Sequence, residues 1–447
     1  MNVLSCIIIL TLISFILFSS KRVALLCMVI GYLFLSQGAG FDLLGFSFFP
    51  TRLLGYVCFL RVLLRKEFYF GDLLKPDKIL ICLYVFITLI LFTRIEEESP
   101  ALRVAKLCDT IFTYICFRAL IGSPGDLRWL LEKMVVLLIP YVVALGIEGF
   151  LGRNLFEWVG AGGKEWFRGS NIRCFGSFRH PSLLGSLGAC FFPLFVSLAW
   201  SPGLRQKAIM GAILCMAIVG FSNSGGPVSV LAFSIGGWFL WLLRMKMKMV
   251  RWSALAFVLV LAIFMKAPVW YLLARVSSIT GGTGWHRSYL LEVAFKHIGE
   301  WWLFGAPVLA TKDWFPYVVA SSGGADITNQ FIEFGLQGGL LAILGFGMLI
   351  IVVLGQIGSA LSQVRLVSNS DHSDEALLWG LGVCLSAHIS NWMGITYFDQ
   401  FAGLWLLQLA AMVTVADYFS HSDNEGEISE SSPVSDSEDF GRKEVTV

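Results

Sequence analysis

The sequence predicts an all-α fold: a polytopic transmembrane helical bundle of about 12–13 spans, with one long, partly helical loop on its outer side. Three observations predict it. Of the 447 residues, 56% are hydrophobic and 14% charged, with mean hydropathy +0.74, whereas a soluble domain is about a quarter charged. The apolar residues recur in blocks of roughly 20, the helical length that crosses about 30 Å of hydrocarbon. The alternating segments of about ten residues that mark an outer-membrane barrel are absent.

In chain order the blocks lie near residues 2–19, 23–40, 44–63, 78–94, 101–121, 129–148, 182–200, 207–222, 226–243, 252–270, 335–355, 376–394 and 400–418. They define a membrane domain over residues 1–420. No basic residue precedes the first block, Lys21 and Arg22 follow it, and another block comes soon after. That pattern reads as a retained helix and not as a cleaved signal peptide. The ten cysteines are scattered without a CxxC pair. Cys82, Cys190, Cys215 and Cys384 fall within blocks and read as small packing residues, while Cys174 lies in a connection beside Arg173. Residues 421–447 are acidic, Ser-rich and free of apolar periodicity, so a disordered tail is expected there.

Segregated charge sets the orientation. Basic residues favour the cytoplasmic side. The connections holding Lys21/Arg22, Arg65/Lys66/Lys75/Lys78, Arg205/Lys207 and Arg244/Lys246/Lys248/Arg251 therefore read as inside, together with the tail. Alternation then puts residues 94–100, 149–181, 222–227 and 271–334 outside. Segment 149–181 nevertheless holds Arg153, Lys164, Arg168, Arg173 and Arg179 against Glu157 and Glu165. Cations on the disfavoured face suit an anionic ligand. Taken singly, each arginine also suits a solvated loop.

Four outward stretches carry the chemistry. In IRCFGSFRHPSLLG (172–185), Arg173 and Arg179 flank a Gly-Ser turn, and His180-Pro181 opens a helix whose free N–H groups favour an anion. FSNSGGPVSVL (221–231) puts Ser222, Asn223 and Ser224 at a surface and equally fits a tight helical hairpin turn. GWHRSYLLEVAFKHIGEWWLFG (284–305) predicts an interfacial helix with Arg287, Leu291, Ala294 and Ile298 along one face. In ADITNQFIEFGLQGG (325–339), Asp326 and Asn329 precede a helix start, where capping is common, and the glycines permit close helix approach. His388 falls within a block, as a bundle residue or a cavity lining. His372 and His421 fall on the cytoplasmic side. No HExxH, P-loop, GxSxG or nucleotide fingerprint is present. Nor is there an outer pair of carboxylates to hold a metal. Neither a metal nor a cofactor is expected, and no nucleic-acid partner.

These four stretches, in this order over residues 150–360, resemble the O-antigen ligase and O-antigen polymerase superfamily of bacterial inner-membrane proteins. The elements of the resemblance are Arg173, Gly176, Phe178 and Pro181; the SGGP turn; HR-x-x-L with EWWLFG; and D-I-T-N-Q with its glycines. The resemblance implies a metal-independent glycosyltransferase with its site facing the periplasm. Such enzymes take a glycan from an undecaprenyl-pyrophosphate carrier at the outer leaflet. They pass it to a hydroxyl on lipid A core or on a growing polysaccharide. Arg173 and Arg287 match the family's outward arginines, with Arg179 a weaker third. Guanidinium forks match the oxygens of a departing diphosphate. The incoming hydroxyl can use a base within hydrogen-bond reach, for which His286, His180, Asp326 and Glu333 are candidates. The expected catalytic set is thus Arg173, Arg287, His286 and Asp326, and the expected substrate-binding set Arg179, His180, Ser224, Asn329 and Glu333. Many members carry a His beside an Asn where this chain has Thr328, Asn329 and Gln330, and glutamine cannot act as a base. Two other readings stay open: a solute transporter lined by His388 and Asn391, and a non-catalytic component of a polysaccharide export complex.

Overall fold

Apolar blocks of this length become helices because a helix satisfies its own backbone hydrogen bonds, which hydrocarbon cannot do. The computed structural model describes residues 2–43, 46–94, 99–162, 166–272, 275, 284–314, 323–367 and 372–430. Its helices in chain order are α1 (Val3–Phe18), α2 (Lys21–Phe34), α3 (Pro50–Leu64), α4 (Lys75–Phe92), α5 (Pro100–Leu120), α6 (Pro124–Leu151), α7 (Pro181–Ser197) and α8 (Arg205–Ser222). There follow α9 (Gly225–Phe239), α10 (Met247–Phe264), α11 (Gly284–Lys296), α12 (Ile298–Trp301), α13 (Thr311–Trp314), α14 (Gln330–Val367), α15 (Ser373–Trp392) and α16 (Asp399–Glu430). Two small antiparallel hairpins join them: β1 (Phe41–Leu43) with β2 (Phe46–Phe48), and β3 (Phe167–Arg168) with β4 (Asn171–Ile172).

Every predicted block overlaps a helix. Among the described residues, six helical stretches are long and apolar enough to cross a membrane: Pro124–Leu151, Pro181–Trp200, Arg205–Ser222, Gly225–Phe264, Gln330–Leu366 and Asp399–Ser420.

Some boundaries differ from expectation. The second block, read as 23–40, stops at Phe34 and gives way to a short 3-10 turn and the β1–β2 hairpin. Gly38 and Gly40 weaken a helix there, and Pro50 is placed to begin the next one. The α11 helix ends at Lys296, so Ile298 belongs to α12 and not to the Arg287 face. Helix α14 has a break at Gly338–Gly339, where Gly339 takes a φ of 69°. The expected tail boundary at residue 421 lies inside α16, whose backbone is helical to Glu430. Outside the described residues fall 431–447, 95–98 of the acidic turn, Lys164 and Glu165, and 276–283 and 315–322 of the long loop.

Helix α7 is the centre of the bundle. Almost every residue in it is buried, as expected of a helix that is apolar all round. It packs on α8, α9 and α15, with Gly185, Ser186, Gly188 and Ala189 allowing close approach. By contrast α10 has no buried residue. A hydrogen-bonded network ties α7 to α15 and α16. His388 Nε2 lies 2.6 Å from Gln408 Oε1 and its Nδ1 2.7 Å from the Tyr397 hydroxyl. The amide oxygen only accepts, so Nε2 donates and Nδ1 accepts from Tyr397. Asn391 Nδ2 donates to Tyr397 Oη at 3.0 Å and to Ser186 Oγ at 2.8 Å. His388 is a satisfied bundle residue.

Candidate functional site

The site is assembled around the turn Ser222–Pro227, between α8 and α9. The first arm is the β3–β4 hairpin. Its two-residue turn is Gly169-Ser170, and Gly169 supplies the positive φ of 60° that such turns favour. The pairing continues past the strands, with Arg173 N–H donating to Trp166 O at 2.8 Å. Arg168 and Arg173 thereby leave the same small hairpin. Arg168 Nη1 donates to Asn223 O at 3.2 Å, and Arg173 Nη2 to Ser224 Oγ at 3.2 Å. Ser224 Oγ in turn lies 2.8 Å from Ser182 Oγ in the first turn of α7.

The second arm is α11, which brings Arg287 to the same turn. Its guanidinium lies between Gly226 and Gly394. A Cβ on Gly226 would sit 3.0 Å from Nη2, and one on Gly394 would sit 3.0 Å from Cζ. Any side chain at either position would press on the guanidinium, so the two glycines form its slot.

Among the described residues no Asp or Glu oxygen lies within 4.0 Å of Arg168, Arg173 or Arg287. Arg173 Nε is buried without a hydrogen bond. Burial, and then the neighbouring charge of Arg168, pull the pKa of both Arg173 and Arg287 below the ordinary arginine range. Partly buried cations are normally paired. The first turn of α9 adds free backbone N–H groups, since the Ser224 side chain does not cap it. Chemically, such an arrangement can accept an anion.

His286 precedes Arg287 in α11 and reaches the backbone of Asp326. The buried His286 ring places Nε2 3.1 Å from the Asp326 carbonyl oxygen. The segment that follows Asp326 is held to the connection between α15 and α16 that carries Gly394. Thr396 Oγ1 donates to Ile327 O at 3.2 Å, and Tyr397 N–H to Gln330 Oε1 at 2.8 Å. Gln330 is therefore a structural acceptor. Asn329 caps α14, its Oδ1 accepting from Phe331 N–H at 2.9 Å and Ile332 N–H at 3.1 Å. His180 caps α7, with Nδ1 accepting from Ser182 N–H at 3.1 Å and its ring edge-on to Trp166 at 4.9 Å.

Two expected site residues look elsewhere. Arg179 forks onto Asp399, with both contacts at 2.6 Å. We expect Arg179→Ala to leave inorganic pyrophosphate affinity within about twofold of wild type, because a cation already paired offers a third group little net charge. Titration calorimetry on the full-length protein checks it. Glu333 accepts from Gln337 Nε2 at 2.6 Å and feels the charge of Lys106 on α5. Neither contact is to the arginine turn.

Sequence reasoning missed Ser182, Gly394, Asp399 and Glu148. Arg168 was visible only as one more cation in its loop. A carboxylate at the very end of the apolar block 129–148 was the available signal for Glu148, buried in the last turn of α6. Asp399 carried no local one. No protein-family profile matches this chain, and no curated protein matches it.

Proposed function

We propose that the chain is a membrane glycosyltransferase. It moves a glycan from an undecaprenyl-pyrophosphate carrier to a hydroxyl of lipid A core or of a growing polysaccharide, at the periplasmic face of a bacterial inner membrane. The resemblance to O-antigen ligases and polymerases supports this reading. The observation that carries it is the meeting of Arg168, Arg173 and Arg287 at one turn, with no carboxylate of the described residues paired to them.

In the proposed reaction the acceptor oxygen attacks the anomeric carbon from the side opposite the carrier. The bond from that carbon to the diphosphate oxygen breaks, and its electron pair leaves with the diphosphate. Charge thus grows on the group that the guanidinium forks would hold, where stabilisation lowers the barrier. The hydroxyl proton passes to a base, for which Asp326 is our candidate. It is half-buried, and His286 contacts its backbone carbonyl. The transporter reading relied on His388 and Asn391, which are engaged with Tyr397, Gln408 and Ser186.

The test is a gel of surface glycans from a deletion strain, complemented with wild type or with Arg287→Ala. Loss of all long chains on core identifies a ligase, and single repeat units left on core a polymerase. A wild-type pattern from Arg287→Ala overturns the proposal. Orientation is checked at Ser170, an exposed residue of the β3–β4 turn. Ser170→Cys should react with a membrane-impermeant maleimide added from the periplasmic side.

A further inference from the structure

We infer that Glu148 is a positioning residue that aims Arg173 at the anion site, by filling a backbone anion nest beside it. The inference rests on the proposed reading of the arginine cluster. Glu148 lies in the last turn of α6 and is 3% exposed. Its Oε1 accepts from Phe175 N–H at 2.9 Å and its Oε2 from Gly176 N–H at 3.0 Å. Successive N–H groups that converge on one point are the device with which backbones hold phosphate and other anions. Here the protein's own carboxylate occupies the device.

The choice of a carboxylate calls for a reason. Asp77, Glu67 and Glu375 are also buried or nearly so, and each meets an arginine. Among the described residues Glu148 meets no cation within 4.0 Å and is held by amides alone. A buried carboxylate without a cation is costly, and what it achieves is local. Arg173 is followed by a run of tethered residues. Cys174 N–H donates to Phe221 O at 3.0 Å. Asn154 Nδ2 donates to Gly176 O at 2.9 Å, and Gln400 Nε2 to Ser177 O at 2.9 Å. Ser177 Oγ donates to Leu33 O at 2.5 Å. Glu148 supplies the middle of this clamp. It also turns the Phe175 and Gly176 amides away from the ligand, so that the anion is met by guanidinium forks and not by the nest. Removing it frees two donors and loosens the base from which Arg173 projects.

The experiment measures inorganic pyrophosphate binding to the full-length protein in detergent micelles, for wild type, Arg173→Ala, Glu148→Gln and the double variant. We expect each single change to weaken binding about tenfold, and the double variant to bind no more weakly than Arg173→Ala. Such non-additivity marks residues that act through one another. A general loss of folding would not produce it. If Glu148→Gln does not fold, Glu148→Asp keeps the charge, draws it back by one methylene and supplies the same cycle. Wild-type affinity in the Glu148 variant, or additive losses, overturns this inference alone. Failure of the wild-type protein to bind pyrophosphate overturns the arginine reading and this inference with it.

Discussion

Arg287→Ala is expected to abolish glycan transfer while leaving the protein at least as stable as wild type. The loss of transfer follows from where the charge develops. Removing one preorganised electrostatic donor from a transition-state site costs about 10²–10³ in rate. Arg287→Lys should recover little, since an ammonium cannot reproduce the flat two-pronged contact. The stability half follows from the absence of a partner. Arg287 makes no hydrogen bond or ion pair among the described residues, is partly withdrawn from solvent, and is repelled by Arg168. An alanine removes that burden, as is common where function and stability compete. The measurements are product per milligram of membrane protein and thermal melting in detergent. Full activity would refute the mechanism. A large fall in melting temperature would make Arg287 a structural residue.

How far the sequence could be read depended on the range of the interactions. Helices were legible because long apolar blocks are a local feature, whereas only the Pro181 start was read from its own residues, and the helices of the blocks placed at 44–63 and 129–148 begin at Pro50 and Pro124. Pro50, Pro100, Pro124 and Pro181 each sit in a first turn, and Ser99 and Ser123 cap two of those helices with their side chains. Site residues were legible as types of residue and not as partners. Arg173 and Arg179 look alike in the sequence, six positions apart in the same cationic loop. What separates them is Asp399, 220 positions from Arg179, which takes that guanidinium and leaves Arg173 to Ser224. The approach of Arg287 to the same turn likewise depends on Gly226 and Gly394, two glycines that nothing nearby in the chain marks as a pair. The glycines near residue 338 were legible as sites of close approach. That they break a helix depends on a segment some thirty residues earlier, which takes up the backbone groups the break exposes.

That break supports the second large prediction, that Gly339→Ala costs about 3 kcal/mol or more of stability and pyrophosphate binding with it. At the break, Leu340 N–H donates to Trp302 O at 2.7 Å, and Ala306 N–H donates to Leu336 O at 2.9 Å. Arg94 Nη1 lies 3.0 Å from both Leu336 O and Ala306 O, and Nη2 bonds Phe304 O. A broken helix is tolerated at membrane depth only when its freed backbone groups find such partners. Gly339 makes the arrangement possible twice over. Its φ of 69° with ψ of −165° is a backbone conformation essentially reserved for glycine, which costs an L-residue about 1–3 kcal/mol, and a Cβ there would lie 2.3 Å from Leu303 O and 2.7 Å from Trp302 O. Since both contacts are backbone, relief requires the 302–306 segment to move off α14. That segment follows α11 and α12 in the chain, so the Arg287 slot should loosen with it. The expected readouts are a lower melting temperature, new proteolytic cleavage within residues 302–306, and weakened pyrophosphate binding in the same preparation. Gly339→Ala protein that melts like wild type and resists protease would show that the break does not anchor the loop. Intact melting with lost binding would place Gly339 in the anion site itself, a position its carbonyl neighbours argue against.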